Sequence, residues 1–303
     1  MQTTPTPPLD CDAITADVLR RIAGRGPRLE GLAKGHLARL TPDRWTIEWH
    51  LPSWLGRRLG LDPRLTEALT RSNVLGLLSI RLEDDLEDGE VPPAEIADAR
   101  ALARVAFEGA LAEYEPWFDS ESPIWSFLER SMAKRRAGGG SRDLAVRGAP
   151  LKIAGYACCL HAERLDLWPT LERSLDGAIT ALVLYDDFWD WEIDLAAGRW
   201  NAFVAAVVGP EQTRAGPDRN RAVVLAAMLT RAVLGEHFGA ARKTAIDAAS
   251  LADRLEVTEL GEFLTSWAAR TSEQGAQVAD HYRQAGDRAT RLLLGTNVGG
   301  AAT

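Results

Sequence analysis

The sequence predicts an all-helical fold, and three observations lead there. Apolar residues recur at helical spacing along most of the chain, strand-like alternation is nearly absent, and 46% of the 303 residues are hydrophobic, enough for a sizeable core. That length allows one large domain or two small ones. We read one α-helical domain over residues 10–303, behind a Pro/Thr-rich segment 1–9 expected to be disordered.

The elements follow in order. Periodic runs at 10–23 and 29–40 read as helices. Residues 45–54, with three tryptophans and Pro52, read as a connection. Pro63 suits a first helical turn. The helix it opens runs through Leu75, Leu77, Leu78 and Ile80 to Asp88, where Gly89 and Pro92-Pro93 stop it. Further helices are expected at 93–114, 123–136, 142–167, 171–195, 217–237, 240–255 and 258–294. The strongest interruption, Ala137-Gly138-Gly139-Gly140-Ser141, reads as a flexible loop.

Charge and motif content narrow the function. The balance of 35 basic against 43 acidic residues gives a net charge of −8, and no basic patch stands out, which argues against a nucleic-acid partner. An acidic protein that handles an anionic substrate needs cations as mediators. No 18-residue apolar stretch or signal-peptide pattern occurs, so stable membrane insertion is not expected. Cys11, Cys158 and Cys159 have neither zinc spacing nor a disulfide framework, so a reducing cytoplasm is expected. The five histidines form no His-Glu-x-x-His pair, and no phosphate-binding glycine loop is found. Nothing points to covalent nucleophilic catalysis.

One pattern occurs twice: Asp-Asp-x-x-Asp at Asp84-Asp85-Leu86-Glu87-Asp88, and again at Asp186-Asp187-Phe188-Trp189-Asp190, with Asp194 four residues on. On a helix, residues four apart share a face, so Asp84 stacks on Asp88, and Asp186 on Asp190 and Asp194. Like charges at that spacing repel. The first set also lies at a helix C-terminus, where the macrodipole disfavours anions. Both facts call for a compensating cation. Oxygen-only donors suit hard ions such as Mg²⁺, which joins carboxylates to substrate phosphates. The second copy carries Trp189 and Trp191 among its acids, which a solvated surface patch seldom does. The two copies lie on either side of the glycine-rich loop, so a shared site requires both to line one cavity.

These residues resemble the class I isoprenoid synthases, which comprise the trans-prenyl diphosphate synthases and the related terpene cyclases. The resemblance runs from Leu75 to Gly89 and from Ile179 to Asn201; elsewhere it is general helical character. It implies a helical bundle around a central apolar cavity, in which two aspartate-rich helices hold three Mg²⁺ ions, with Mn²⁺ able to substitute, and ionise an allylic prenyl diphosphate. Carried over, Asp84 and Asp88 hold two ions with Asp85 assisting, and Asp186, Asp190 and Asp194 hold the third. Asp84, Asp88, Asp186 and Asp190 then form the catalytic set. Asp194 to Arg199 is similar to the Asp, Gly-Lys stretch that follows the second motif in chain-elongating enzymes.

Elongating enzymes place two arginines just after the first motif; here Asp88 is followed by Gly89-Glu90-Val91-Pro92-Pro93. Their N-terminal basic segment has only a poor echo in Gly26-Pro27-Arg28. Both departures favour one diphosphate substrate, hence a cyclase. Chain elongation with isopentenyl diphosphate and a non-catalytic prenyl-diphosphate-binding partner protein remain alternatives, and a homodimer is compatible with either.

Arginine suits phosphate because its donor fork is bidentate. Arg199, just past the second motif, is the first candidate, followed by Arg147 and Lys152. Tyr282-Arg283 resembles the C-terminal Arg-Tyr pair of terpene cyclases in reversed order. Arg81, one turn before Asp84, reads as an intrahelical ion pair. Aromatic faces stabilise cations, which makes Trp189 the preferred wall residue among Trp45, Trp49, Trp54, Trp125, Trp189 and Trp267.

Overall fold

The computed structural model describes residues 9–138, 143–209, 216–230 and 232–293. Among them are thirteen α-helices, two 3₁₀ turns and no strand. The helices are α1 (Cys11–Ala23), α2 (Pro27–Leu37), α3 (Thr46–Leu59), α4 (Pro63–Glu87), α5 (Ile96–Ala112), α6 (Pro123–Ala137), α7 (Lys152–His161), α8 (Trp168–Trp189), α9 (Trp191–Ala196), α10 (Ala202–Val208), α11 (Pro217–Thr230), α12 (Val233–Arg254) and α13 (Thr258–Leu293). None of the described helices is by itself long and apolar enough to cross a membrane. Residues 1–8 of the expected disordered terminus, and 139–141 of the expected flexible loop, lie outside the described residues.

The chain falls into two compact units. The first comprises Met1–Ala133, Ala149–Glu172 and Asp253–Leu260; the second comprises Lys134–Gly148, Arg173–Ala252 and Gly261–Thr303.

In the first unit α4 packs on α5, α3 and α1. Ile14, Val18 and Ile22 of α1 recur every four residues and face Val74, Leu75, Leu78 and Leu82 of α4 in one buried cluster. Small residues line the α5 side, namely Ala99, Ala103, Ala106 and Ala110, and let the two helices approach closely. The α3–α4 crossing is tighter still: a Cβ on Gly56 would sit 2.2 Å from Thr66 Cγ2.

The segment read as a connection, 45–54, is helical. Pro52 has no N–H to give the Glu48 carbonyl, and the Asn73 side chain donates to that carbonyl at 2.9 Å. A tertiary contact thus satisfies the group that proline leaves open. Trp49 is core here; its Nε1 donates to Leu40 O at 2.8 Å.

Three further differences concern breaks. The helix expected at 142–167 is two 3₁₀ turns, Leu144–Val146 and Ala149–Leu151, followed by α7. Pro150 lies in the second of these turns and removes a backbone donor, and Glu163 adopts φ +55° beyond the end of α7. The run expected at 171–195 is divided at Asp190 into α8 and α9. The short α10 was not anticipated; Asn201 caps it by accepting from Val204 N at 3.1 Å.

In the second unit Phe188, Trp191, Leu195, Phe203, Val224, Met228, Leu234 and Phe238 form one core cluster. Ala181, Ala245 and Ala268 bring α8, α12 and α13 together in another. Ser174 Oγ donates to Ala248 O at 2.8 Å and ties α8 to α12.

Candidate functional site

The first acidic segment lies in the first unit, at the end of α4. Leu78, Leu82 and Asp85 follow at spacings of four and three, so Asp85 falls on the core face and is buried. Its carboxylate meets Arg39 Nη2 at 3.3 Å, Arg81 Nη2 at 3.6 Å and His36 Nδ1 at 3.7 Å. Arg81 also pairs with Asp84 at 3.5 Å, as the sequence spacing indicated. Basic side chains therefore supply cationic compensation at this helix end. Burial, and then neighbouring Arg39, lower the pKa of His36 below the ordinary histidine value. Asp88 caps α4, and Gly89 turns the chain at φ +72° so that Glu90 N donates to Asp85 O at 2.9 Å.

The second segment lies in the second unit, at the end of α8. Asp186 and Asp190 are exposed, while Asp187 and Asp194 are buried. The spacing of four puts Asp194 on the face of Asp186 and Asp190, but the helix is interrupted at Asp190. The structure puts it on the face of Asp187. Arg147 Nη1 donates to Asp187 Oδ1 at 2.9 Å, and Ala202 N donates to Oδ2 at 2.7 Å. Asn201 Nδ2 donates both to the Asp187 carbonyl and to Asp194 Oδ2, each at 2.8 Å. Arg199 Nε donates to Asp194 Oδ1 at 2.9 Å. Asp187 and Asn201 were not singled out from sequence. Both carried a signal: Asp187 shares the apolar face of Leu184 and Trp191, and Asn201 stands just before an apolar helical run, where asparagine caps.

Beside this segment is a cleft of about 470 Å³ lined by Phe188, Trp189, Trp191, Glu192, Gln277, Val278, His281 and Tyr282. Trp189 is 51% exposed. Its ring stands 4.9 Å from Phe188 and 6.0 Å from Tyr185, whose hydroxyl is held by Gln274 at 2.8 Å. Burial, and then the Glu192 charge, raise the pKa of the Tyr282 hydroxyl. Glu192 accepts from Arg221 at 3.0 Å.

The cleft thus brings Trp189 and Tyr282 together. Arg283 pairs with Asp280 and does not line it. Lys152, in the first unit, is buried beside Glu172 at 3.3 Å. Burial raises the Cys158 thiol pKa, and that of Cys159 to about 11, so neither is an activated thiolate.

Among the described residues no three His, Cys, Asp or Glu side chains converge as a metal-holding group. Mg²⁺ seldom needs such a cage: it takes one or two carboxylates and completes its shell with water and phosphate oxygens. Asp186 and Asp190, both exposed and one turn apart, offer donors of that kind. Two carboxylates of that kind leave the rest of an ion's shell to donors from outside the protein. No protein-family model, curated protein or solved structure matches the chain.

Proposed function

We propose that the chain is a Mg²⁺-dependent class I terpene synthase that ionises an allylic prenyl diphosphate and cyclises or rearranges the carbocation. The observation that carries this reading is the aromatic cleft next to Asp186 and Asp190, with Trp189 belonging to both the cleft wall and the acidic segment. A cleft of a few hundred Å³ with aromatic walls and a few polar side chains, here Glu192, Gln277 and His281, has the size and mixed lining that small-molecule sites use. The same reading carries the single-domain bundle around an apolar cavity that the resemblance implies.

Asp186 and Asp190, and the equivalent Asp84 and Asp88, are the residues proposed to hold Mg²⁺. When bound, the ions would neutralise charge on the departing diphosphate. Arg147 and Arg199 donate to phosphate oxygens. Trp189 and Tyr282 face the hydrocarbon, where an aromatic face stabilises a cation by roughly 0.5–2 kcal/mol. Phe188 and Trp191 add apolar wall beside them. This reading gives Lys152 and Arg283 no role.

A second reading, a prenyl-diphosphate-binding protein without turnover, is favoured by the lack of a converged three-acid group among the described residues. One experiment separates the readings. The purified chain is incubated with C10 to C25 diphosphates, with and without Mg²⁺ and isopentenyl diphosphate. A synthase releases diphosphate only with metal and yields a hydrocarbon or alcohol. Saturable binding without release favours the binder. Incorporation of isopentenyl diphosphate into a longer diphosphate defines an elongase.

A further inference from the structure

Two facts about the second acidic segment stand apart from metal binding. Its buried acids, Asp187 and Asp194, are joined through one fully buried amide, Asn201. Each also holds one arginine, at 2.9 Å in both cases, and those arginines keep part of their side chains in solvent. The acids are inside and the guanidinium groups are at the edge.

We infer that Asp187, Asn201 and Asp194 form a buried clamp that positions Arg147 and Arg199 as donors to phosphate oxygens. The inference rests on the diphosphate reading above and assigns roles to two residues, Asp187 and Asn201, outside the metal set. It also gives Asp194 a positioning role.

The physical argument begins with arginine itself. Its planar fork offers five donors in fixed directions, but its long stem has many rotamers, so an unheld arginine loses entropy whenever it meets an anion. A carboxylate bonded to one edge fixes the plane and leaves other donors directed elsewhere. The carboxylate must in turn be fixed. Asp187 is held by the Ala202 N–H, and Asp194 by the Asn201 amide. Asn201 is held by its own cap bond from Val204 N and by the Asp187 carbonyl. Each partner restrains the next, and the network spans the end of α8, α9 and the start of α10. A turn completes it: Gly198 at φ +68° lets Arg199 N donate to Asp194 O at 2.8 Å, so main chain and side chain of Arg199 are both referred to Asp194. Exposed Asp186 and Asp190 repel a bare phosphoanion, so the clamp works together with a divalent cation.

The test is calorimetric titration of the full chain with inorganic pyrophosphate in the presence of Mg²⁺, beside a thermal melt of each variant. Asp187→Asn and Asp194→Asn keep the side-chain shape and remove the charge that orients each arginine. Each is expected to weaken pyrophosphate at least tenfold while the protein stays folded. A merely structural network would lower the melting temperature and leave the affinity of the folded protein unchanged; that result overturns the inference. Where an Asn variant does not fold, Arg147→Lys and Arg199→Lys decide. Both retain charge but lose the fork, a tenfold weakening is expected, and unchanged affinity overturns the proposal. Wild-type protein that binds no pyrophosphate with Mg²⁺ would instead overturn the diphosphate reading beneath it.

Discussion

The two acidic segments share a spelling and a local geometry, yet they are held in different ways. In each, the second aspartate faces the core: Asp85 is 6% exposed and Asp187 is 3% exposed. Gly89 follows α4 and Gly198 follows α9, each with positive φ and each next to a backbone bond back across the turn, Glu90 N to Asp85 O and Arg199 N to Asp194 O. The difference lies in who holds the buried acid. Among the described residues the Asp85 carboxylate meets side chains, at 3.3 to 3.7 Å, and the nearest, Arg39, is 58% exposed. Asp187 has an arginine at 2.9 Å and a backbone N–H at 2.7 Å, and its own carbonyl is bonded to Asn201. A screened ionic neighbourhood tolerates loss of one member. A closed hydrogen-bond network does not, because each deletion strands a buried donor.

That contrast can be broken most sharply through activity. Under the proposed function, Asp84→Ala and Asp186→Ala each reduce Mg²⁺-dependent diphosphate release on the order of 100-fold or more, since metal-borne charge neutralisation amounts to several kcal/mol. Circular dichroism should show the helices intact. Full release by both variants would remove Asp84 and Asp186 from the site.

Stability tests the contrast directly. Asp187→Ala is expected to cost about 2–3 kcal/mol, because it strands the Ala202 N–H and removes the partner of half-buried Arg147. Asp85→Ala is expected to cost about 1 kcal/mol, because exposed Arg39 regains water. Urea denaturation of both variants gives the comparison, and equal costs would erase the distinction drawn between the segments.

The turns sharpen it further. Gly89→Ala and Gly198→Ala each force a Cβ into the left-handed region and should cost about 1 kcal/mol. Only Gly198→Ala should also weaken pyrophosphate, because Arg199 is the next residue. Titration of both variants checks this, and parallel losses of affinity would show that the turn matters only for folding.

The smallest effect concerns pH. Burial lowers the pKa of His237 below the ordinary 6.5, and its Nε2 meets Leu184 O at 2.6 Å on α8. The unfolded chain then takes up a proton near pH 6.5 that the folded chain resists. The contribution of neutral His237 is therefore fully present above that pH and is lost as pH falls below it, at no more than about 1.4 kcal/mol per pH unit. His36, beside Asp85, is lowered in the same direction. Melting curves at pH 8 and pH 5 should show a smaller acid-induced drop for His237→Asn than for wild type, and identical drops would remove His237 as a source of acid sensitivity.

The sequence by itself determined a good deal. Helical periodicity located α1, α4 and α13 almost to the residue, because each buries an apolar stripe, and in α1 and α4 the Asp10 and Asp62 caps also read locally. The two acidic segments, Gly89 as a stop and the Arg81 pair were equally visible, since all depend on neighbours within a turn. Tertiary structure alone decided the rest. Pro52 sits inside a helix because Asn73, from another helix, bonds the carbonyl that proline leaves open. Spacing put Asp194 with Asp186 and Asp190, but the break at Asp190 and the bonds from Asn201 and Arg199 place it with Asp187 instead. Arg147 and Lys152, close in sequence, went to different carboxylates, Asp187 and Glu172. Periodicity records which face of a helix is apolar, whereas the partner of a buried charge comes from elsewhere in the chain, and only folding brings the two together.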